Sequence, residues 1–179
     1  MKRFLATFLF VLMTIVTIAQ NSNTIKFLDI PVDGTKKEMI SKLQAKGYKY
    51  HVYSDNLSGE FNGTDVIIYV QTVNNRVWRI AIADANVNDE VDIKYRYNRL
   101  FKQLSNNGKY EVHSGSTLGE KDNISYEMTF LKKRYDAVFH LKDKSIHGRV
   151  WYTIGEGDGG YGIVMYYENL NNEANGEDL

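Results

Sequence analysis

The sequence predicts an α+β fold of two tandem units, each a helix followed by an antiparallel β-meander, packed together as one domain. Three observations carry that expectation. The hydrophobic period changes from about 3.6 to about 2 after Gly47, and the second half repeats the plan after Gly108. Asn62-Gly63 and Asn74-Asn75 interrupt the period-2 runs with the chemistry of two-residue hairpin turns. Segments of the first half also find partial matches, in the same order, in the second.

The chain starts with a positive lead, Met1-Lys2-Arg3, followed by an uncharged and mostly apolar run from Phe4 to Ala19. That run is shorter than the roughly 20 apolar residues of a membrane span, and no charged stop-transfer cluster follows it. Thr17-Ile18-Ala19 before Gln20 is a loose small-x-small cleavage register. Residues 1–19 are therefore expected to be a cleavable export signal, the alternative being a retained anchor. A lipoprotein needs a cysteine at the cleavage point, and the chain has no cysteine. The domain then covers 20–179, without a membrane span after cleavage, and is expected to be soluble in the periplasm or outside the cell.

The first unit is expected over about 25–85. Phe27 to Gly34 is an apolar segment ending in turn residues. Thr35-Lys36-Lys37-Glu38 reads as a capping box, in which hydroxyl and carboxylate satisfy each other's orphan backbone donors. Met39, Ile40 and Leu43 share a helical face, and Gly47 suits the left-handed exit. Tyr48, Tyr50 and Val52 then alternate, Leu57 to Phe61 leads into the first turn, and Val66 to Val73 runs to the second. Val77 to Ala83 returns with Trp78, Ile80 and Ile82 expected on one face.

The second unit is expected over about 89–170. Ile93, Tyr97, Leu100, Phe101 and Leu104 form a helical stripe begun by Asp89 or Asp92 and ended by Asn107-Gly108. Strands are expected at Ile124 to Phe130, Tyr135 to Leu141, Arg149 to Ile154 and Gly162 to Tyr167. Gly155 to Gly160 reads as a long flexible hairpin loop between the last two, and 171–179 as a frayed acidic tail. The matches between the halves pair Ile40, Leu43 and Gly47 with Phe101, Leu104 and Gly108. They pair Leu57-Ser58-Gly59-Glu60-Phe61 with Ile124-Ser125-Tyr126-Glu127-Met128, Asp65-Val66 with Asp136-Ala137, and Arg76-Val77-Trp78 with Arg149-Val150-Trp151.

Composition narrows the chemistry. Without Lys2 and Arg3 the chain has 20 basic against 22 acidic side chains, a balance that favours neither nucleic acid nor an anionic membrane. The absence of cysteine removes disulfides, thiol nucleophiles and Cys-ligated zinc. Thirteen Tyr, eight Phe and two Trp supply large buried areas to a domain that must hold by packing.

The runs Phe27-Leu28-Asp29-Ile30-Pro31-Val32-Asp33-Gly34-Thr35-Lys36, Leu43-Gln44-Ala45-Lys46-Gly47-Tyr48 and Gly59-Glu60-Phe61-Asn62-Gly63 resemble a group of uncharacterised secreted proteins of gut Bacteroidetes. The resemblance spans most of the chain after Ala19, implies a periplasmic or extracellular location and brings no activity with it. The tandem plan is also similar in architecture to β-lactamase-inhibitor-protein-like folds, which bind proteins through a concave sheet face. Members of that group carry disulfides, which this chain cannot form.

No catalytic signature stands out. His51, His113, His140 and His147 fall in no helical two-histidine motif, so no metal site and no cofactor is assigned, and His140 reads as a solvent-face strand residue. Ser114-Gly115-Ser116 is a polar loop rather than a nucleophile elbow, and Glu60 and Glu127 read as outward-facing residues at matching repeat positions. Glu156 and Asp158 fall short of the six to eight or so oxygens that calcium takes. Trp78 and Trp151 are expected in the core or between sheet and helix. The lead is aromatic: Tyr48, Tyr50 and Tyr53 after the first helix, and Tyr161, Tyr166 and Tyr167 around the last strand. They point to an exported, non-catalytic module that recognises a protein partner through a sheet face or hairpin loops. A glycan or small ligand is the alternative, and a hydrolase ranks behind both.

Overall fold

In the computed structural model, which describes residues 23–173, the chain opens as a ribbon of β1 (Lys26–Phe27) and β2 (Ile30–Pro31). Leu28 and Asp29 turn it at φ of 52° and 64°, the mirror-image geometry of a two-residue hairpin. The expected export segment, residues 1–19, and residues 174–179 lie outside the described residues.

Helix α1 (Lys36–Ala45) starts where its capping box is expected, with the Thr35 hydroxyl accepting from the Glu38 N–H and the Glu38 carboxylate accepting from the Thr35 N–H. It buries Met39 and Leu43, and Gly47 leaves at φ 99°. Four strands follow: β3 (Lys49–His51), β4 (Asn56–Phe61), β5 (Thr64–Val73) and β6 (Arg76–Asp84). Both hairpin turns have left-handed pairs, Asn62 and Gly63 at 54° and 74° and Asn74 and Asn75 at 49° and 61°. Helix α2 (Glu90–Ser105) takes Asp89 as its cap, whose carboxylate accepts from the Val91 and Asp92 N–H groups. After it come β7 (Tyr110–Ser114), α3 (Ile124–Thr129), β8 (Asp136–Leu141), β9 (Gly148–Gly157) and β10 (Gly160–Asn169).

The fold is α+β, with one eight-stranded antiparallel sheet in the order β3-β4-β5-β6-β10-β9-β8-β7. Its centre is the β6–β10 pair, where the last strand of each half meets the other. Alternation sends one side chain in two toward α1 and α2: Leu57, Ile68, Ile80, Met165, Tyr152 and Phe139 are buried there. Tyr152 reaches across the layer, its ring 4.9 Å from that of Tyr97 and its hydroxyl donating to the Tyr97 carbonyl at 3.0 Å. Burial, followed by the nearby Asp136 charge, pushes the Tyr97 phenol up to about 12.

Four expectations are corrected. The segment expected as a strand at Ile124 to Phe130 forms α3, because Asn123 caps it by accepting from the Tyr126 N–H while Ile124 is buried. A short apolar run does not distinguish strand from helix by itself. Glu127 therefore sits on a helix and Glu60 on a strand, so they are not equivalent positions. The run expected as a long loop at Gly155 to Gly160 is mostly strand, paired through Tyr161↔Glu156 and Gly160↔Gly157, with Asp158-Gly159 as the turn. Glycine is required at 160 because a Cβ there would lie 2.6 Å from the Asn88 carbonyl oxygen of the crossing segment. The expected frayed tail does not include Asn172, which donates to Asp33 and to the Val77 carbonyl at 2.9 Å each.

A nearly sequestered ion pair ties the two halves together at one end of the sheet. Asp84 at the end of β6 accepts from Arg96 Nε at 2.6 Å and from the Ile163 N–H of β10 at 3.0 Å. Arg96 also donates to Thr64 Oγ1 of β5 at 2.7 Å. Both side chains are nearly sequestered, at 2% and 10% exposure. Removing one partner strands the other charge, so Asp84→Ala is expected to cost about 3–5 kcal/mol. Urea unfolding checks this, and a midpoint unchanged from the parent contradicts it.

Candidate functional site

The helices cover one face of the sheet, and among the described residues the opposite face has no helix against it. Register places three rows of side chains across that face. Tyr69, Ala81, Tyr166, Trp151 and Val138 are successive partners from β5 to β8. On one side run Ile67, Ala83, Val164, Thr153 and Asp136. On the other run Gln71, Arg79, Glu168, Arg149, His140 and Glu111. The first row is aromatic, the second largely apolar, the third charged.

A bulge aligns the third row. The β5–β6 register passes from Thr72↔Val77 to Gln71↔Arg79, leaving Trp78 unpaired. Val77 and Ile80 can thus both be buried in the core, while the Arg79 guanidinium lies 3.9 Å above the Trp78 ring. Arg79 also lies 5.0 Å from the Tyr166 ring, whose other side stacks on Trp151 at 4.1 Å and 19°. Cross-strand aromatic pairs and cation–π contacts of this kind each contribute about 0.5–1 kcal/mol.

Beneath the rings lies Glu168, 0% exposed, 2.5 Å from Arg79 Nη2 and paired with Arg149 Nε on its other side. Two guanidinium groups thus enclose one carboxylate. Beyond Arg149, His140 stacks on His113 at 4.3 Å and 16°, where a register shift between Val112 and Ser114 lets β7 present that ring. Burial holds the His140 imidazole below its usual value, and the His113, Lys144 and Arg149 charges add to that, against Glu111.

The six tyrosines singled out in the sequence do not converge. Tyr166 alone lies on the uncovered face. Tyr167, its neighbour, must point the other way; it packs 5.1 Å from Phe27, and burial raises its phenol. Tyr48 is buried and donates to the Glu60 carbonyl at 3.0 Å. Tyr50 pairs with the buried Leu57 and donates to Asp55 at 2.8 Å. Tyr53 is fully exposed in the β3–β4 turn, and Tyr161 is bridged by its backbone to Asn88. Both tryptophans depart from the expected core placement, since they lie half-buried with Arg79 and Tyr166 on the face away from the helices. Arg79, Arg149 and Tyr69 lie outside the sequence expectation for the site, because their shared face depends on the register between strands.

Elsewhere the surface has shallow concavities, one beside α1 lined by Lys36, Ile40, Tyr50 and Asp55, another by Tyr97, Leu118, Asp122 and Lys133. His51 Nε2 and Ser58 Oγ lie 2.8 Å apart across β3–β4, and neither residue lines those concavities. Among the described residues no group of three His, Cys, Asp or Glu is placed to hold a metal ion, and no helix is long and apolar enough to cross a membrane. No protein-family model, curated protein or solved structure matches the chain.

Two predictions follow from this geometry. The folded His140 pKa lies below the unfolded value of 6.5, so the unfolded chain takes the proton first. Stability is expected to fall as pH drops below 6.5, until the folded ring also titrates. His140→Gln should flatten that part of the curve in urea midpoints taken at several pH values, and an unchanged slope counts against it. Among the described residues the Trp151 indole N–H has no acceptor, so Trp151→Phe keeps a ring on Tyr166 and removes no hydrogen bond to them. Trp151→Ala should be less stable than Trp151→Phe by about 1 kcal/mol in thermal unfolding.

Proposed function

We propose that the chain is an exported, non-catalytic binding module that recognises a protein partner through the uncovered face of its sheet. The row of Tyr69, Ala81, Tyr166 and Trp151, bordered by Arg79 with Trp78 and by Arg149, carries this reading. Trp, Tyr and Arg are the residue types in which binding energy concentrates at protein interfaces. They are rigid or pre-organised, and each combines a large contact area with a polar group.

Ring orientation separates this reading from the glycan alternative. A sugar stacks on a free aromatic face. Here Tyr166 has Trp151 on one face and Arg79 toward the other, and Trp78 has Arg79 over its ring. At Tyr166 and Trp78 the surface therefore offers ring edges and a guanidinium group, which suits a polypeptide better.

Two further parts of the reading rest on other features. Export is supported by the charged lead, apolar run and small-residue register of residues 1–19, and by the resemblance to secreted Bacteroidetes proteins. Tandem copies are supported by the connectivity, in which α1 precedes β3 to β6 and α2 precedes β7 to β10, with β6 and β10 paired at the centre. In such a duplication β6 corresponds to β10 and β5 to β9. The likeness of Arg76-Val77-Trp78 to Arg149-Val150-Trp151 links β6 to β9 and falls outside that correspondence.

Photo-crosslinking tests the face. The chain from Gln20 onward, carrying a benzophenone amino acid at Tyr69 or at Tyr53, is mixed with cell-envelope and culture-medium proteins. An adduct from position 69, reduced at least about tenfold by Trp151→Ala with Tyr166→Ala, is expected, because interface hot spots contribute 2 kcal/mol or more. An adduct from position 53 alone, or glycan-array binding insensitive to both substitutions, contradicts it.

A further inference from the structure

Resting on that reading of the face, the charges beside the aromatic row say what sort of partner it takes. Glu168 is 0% exposed, whereas Arg79 and Arg149 keep 21% and 35% of their side chains exposed. The carboxylate neutralises one guanidinium from below, and the surface above it displays the remaining positive charge. The other acidic groups near the row are already engaged by cations. Glu173 forms a second ion pair with Arg149 at 3.9 Å, but both side chains are more than a third exposed, and an exposed pair of this kind contributes little, so a partner's carboxylate can displace it. Glu111 is held by Lys144 at the far end of the row. Asp136, across the aromatic row, is paired with Arg134 at 3.2 Å. His140 and His113 extend the charged row beyond Arg149 as neutral or cationic groups, never as acidic ones.

We infer that the partner is an acidic polypeptide segment, with carboxylates that meet Arg149 and Arg79 and apolar side chains that lie on Tyr69, Tyr166 and Trp151. Both halves of that chemistry are needed. A carboxylate bound at Arg149 gains a charge-assisted hydrogen bond, and the adjoining aromatic row excludes water from it. A basic segment meets like charge along the same border, which penalises it. The spacing also suits a polypeptide in extended form, because the aromatic and charged rows lie two residues apart along each strand, the repeat that separates same-side residues of a bound strand.

The test uses random short peptides displayed on phage as the probe. Selection is run on the immobilised chain from Gln20 onward and on its Trp151→Ala, Tyr166→Ala variant. The expected result is a set of peptides retained by the parent and released by the variant, with Asp and Glu outnumbering Lys and Arg at least threefold. Those peptides should bind Arg149→Gln about tenfold more weakly, and Arg149→Lys should restore most of the loss. Circular dichroism of each variant establishes that it is folded, and Arg149→Lys keeps the charge opposite Glu168 should the Gln variant be unstable. Variant-sensitive peptides that are neutral or basic overturn the acidic partner and leave the face reading standing. Peptides retained equally by parent and variant, or no enrichment on either, overturn both.

Discussion

Arg96 and Asp84 meet where the two halves of the chain join, and the geometry of everything else passes through that contact. Asp84 ends β6 and accepts from the first residues of β10 as well as from α2. The guanidinium then continues to Thr64 on β5. Helix, central strand pair and neighbouring strand are thus tied at one end of the sheet by charged groups shut away from water. Such a pair adds little net stability over an apolar substitute, but it tolerates few alternative arrangements. A shift of α2 along the sheet strands at least one charge, which makes the docking of α2 on the sheet specific.

That docking decides which face stays bare. With α1 and α2 on one side, Ile68, Ile80, Tyr152 and Phe139 have somewhere to go, and alternation forces Tyr69, Tyr166, Trp151 and Arg149 to the other. The bare face lowers its own cost by packing laterally. Rings stack across β9 and β10, Arg79 lies between Trp78 and Tyr166, and Glu168 is sealed under the guanidinium groups. These side chains are therefore held in place by one another rather than by a helix.

The sheet edges are managed differently from its face. β3 is only Lys49–His51, and β7 is distorted by the register shift next to His113. Short and bulged edges discourage pairing with other chains.

Local chemistry was readable directly from the residues. Thr35 and Glu38, Asp89, Asn62-Gly63 and Asn74-Asn75 lie where capping and hairpin rules place them, because those interactions span only a few residues. The α+β class followed from the same signals. Three features required the folded chain. Ile124 to Thr129 becomes helix because Asn123 caps it and because Ile124 finds a buried site, and the second of these is a tertiary fact. Gly155 to Gly160 pairs as strand because the Val87-Asn88 segment crosses it and leaves no space for a side chain at 160. The candidate face could not be assembled from the tyrosines alone, since its rows join residues on separate strands whose register depends on a bulge at Trp78. The turns at Asn62-Gly63 and Asn74-Asn75 and the caps at Thr35 and Asp89 are fixed by residues a few positions apart. Which side of the sheet the helices cover, and so which aromatic residues face outward, depends on contacts between residues far apart in the chain.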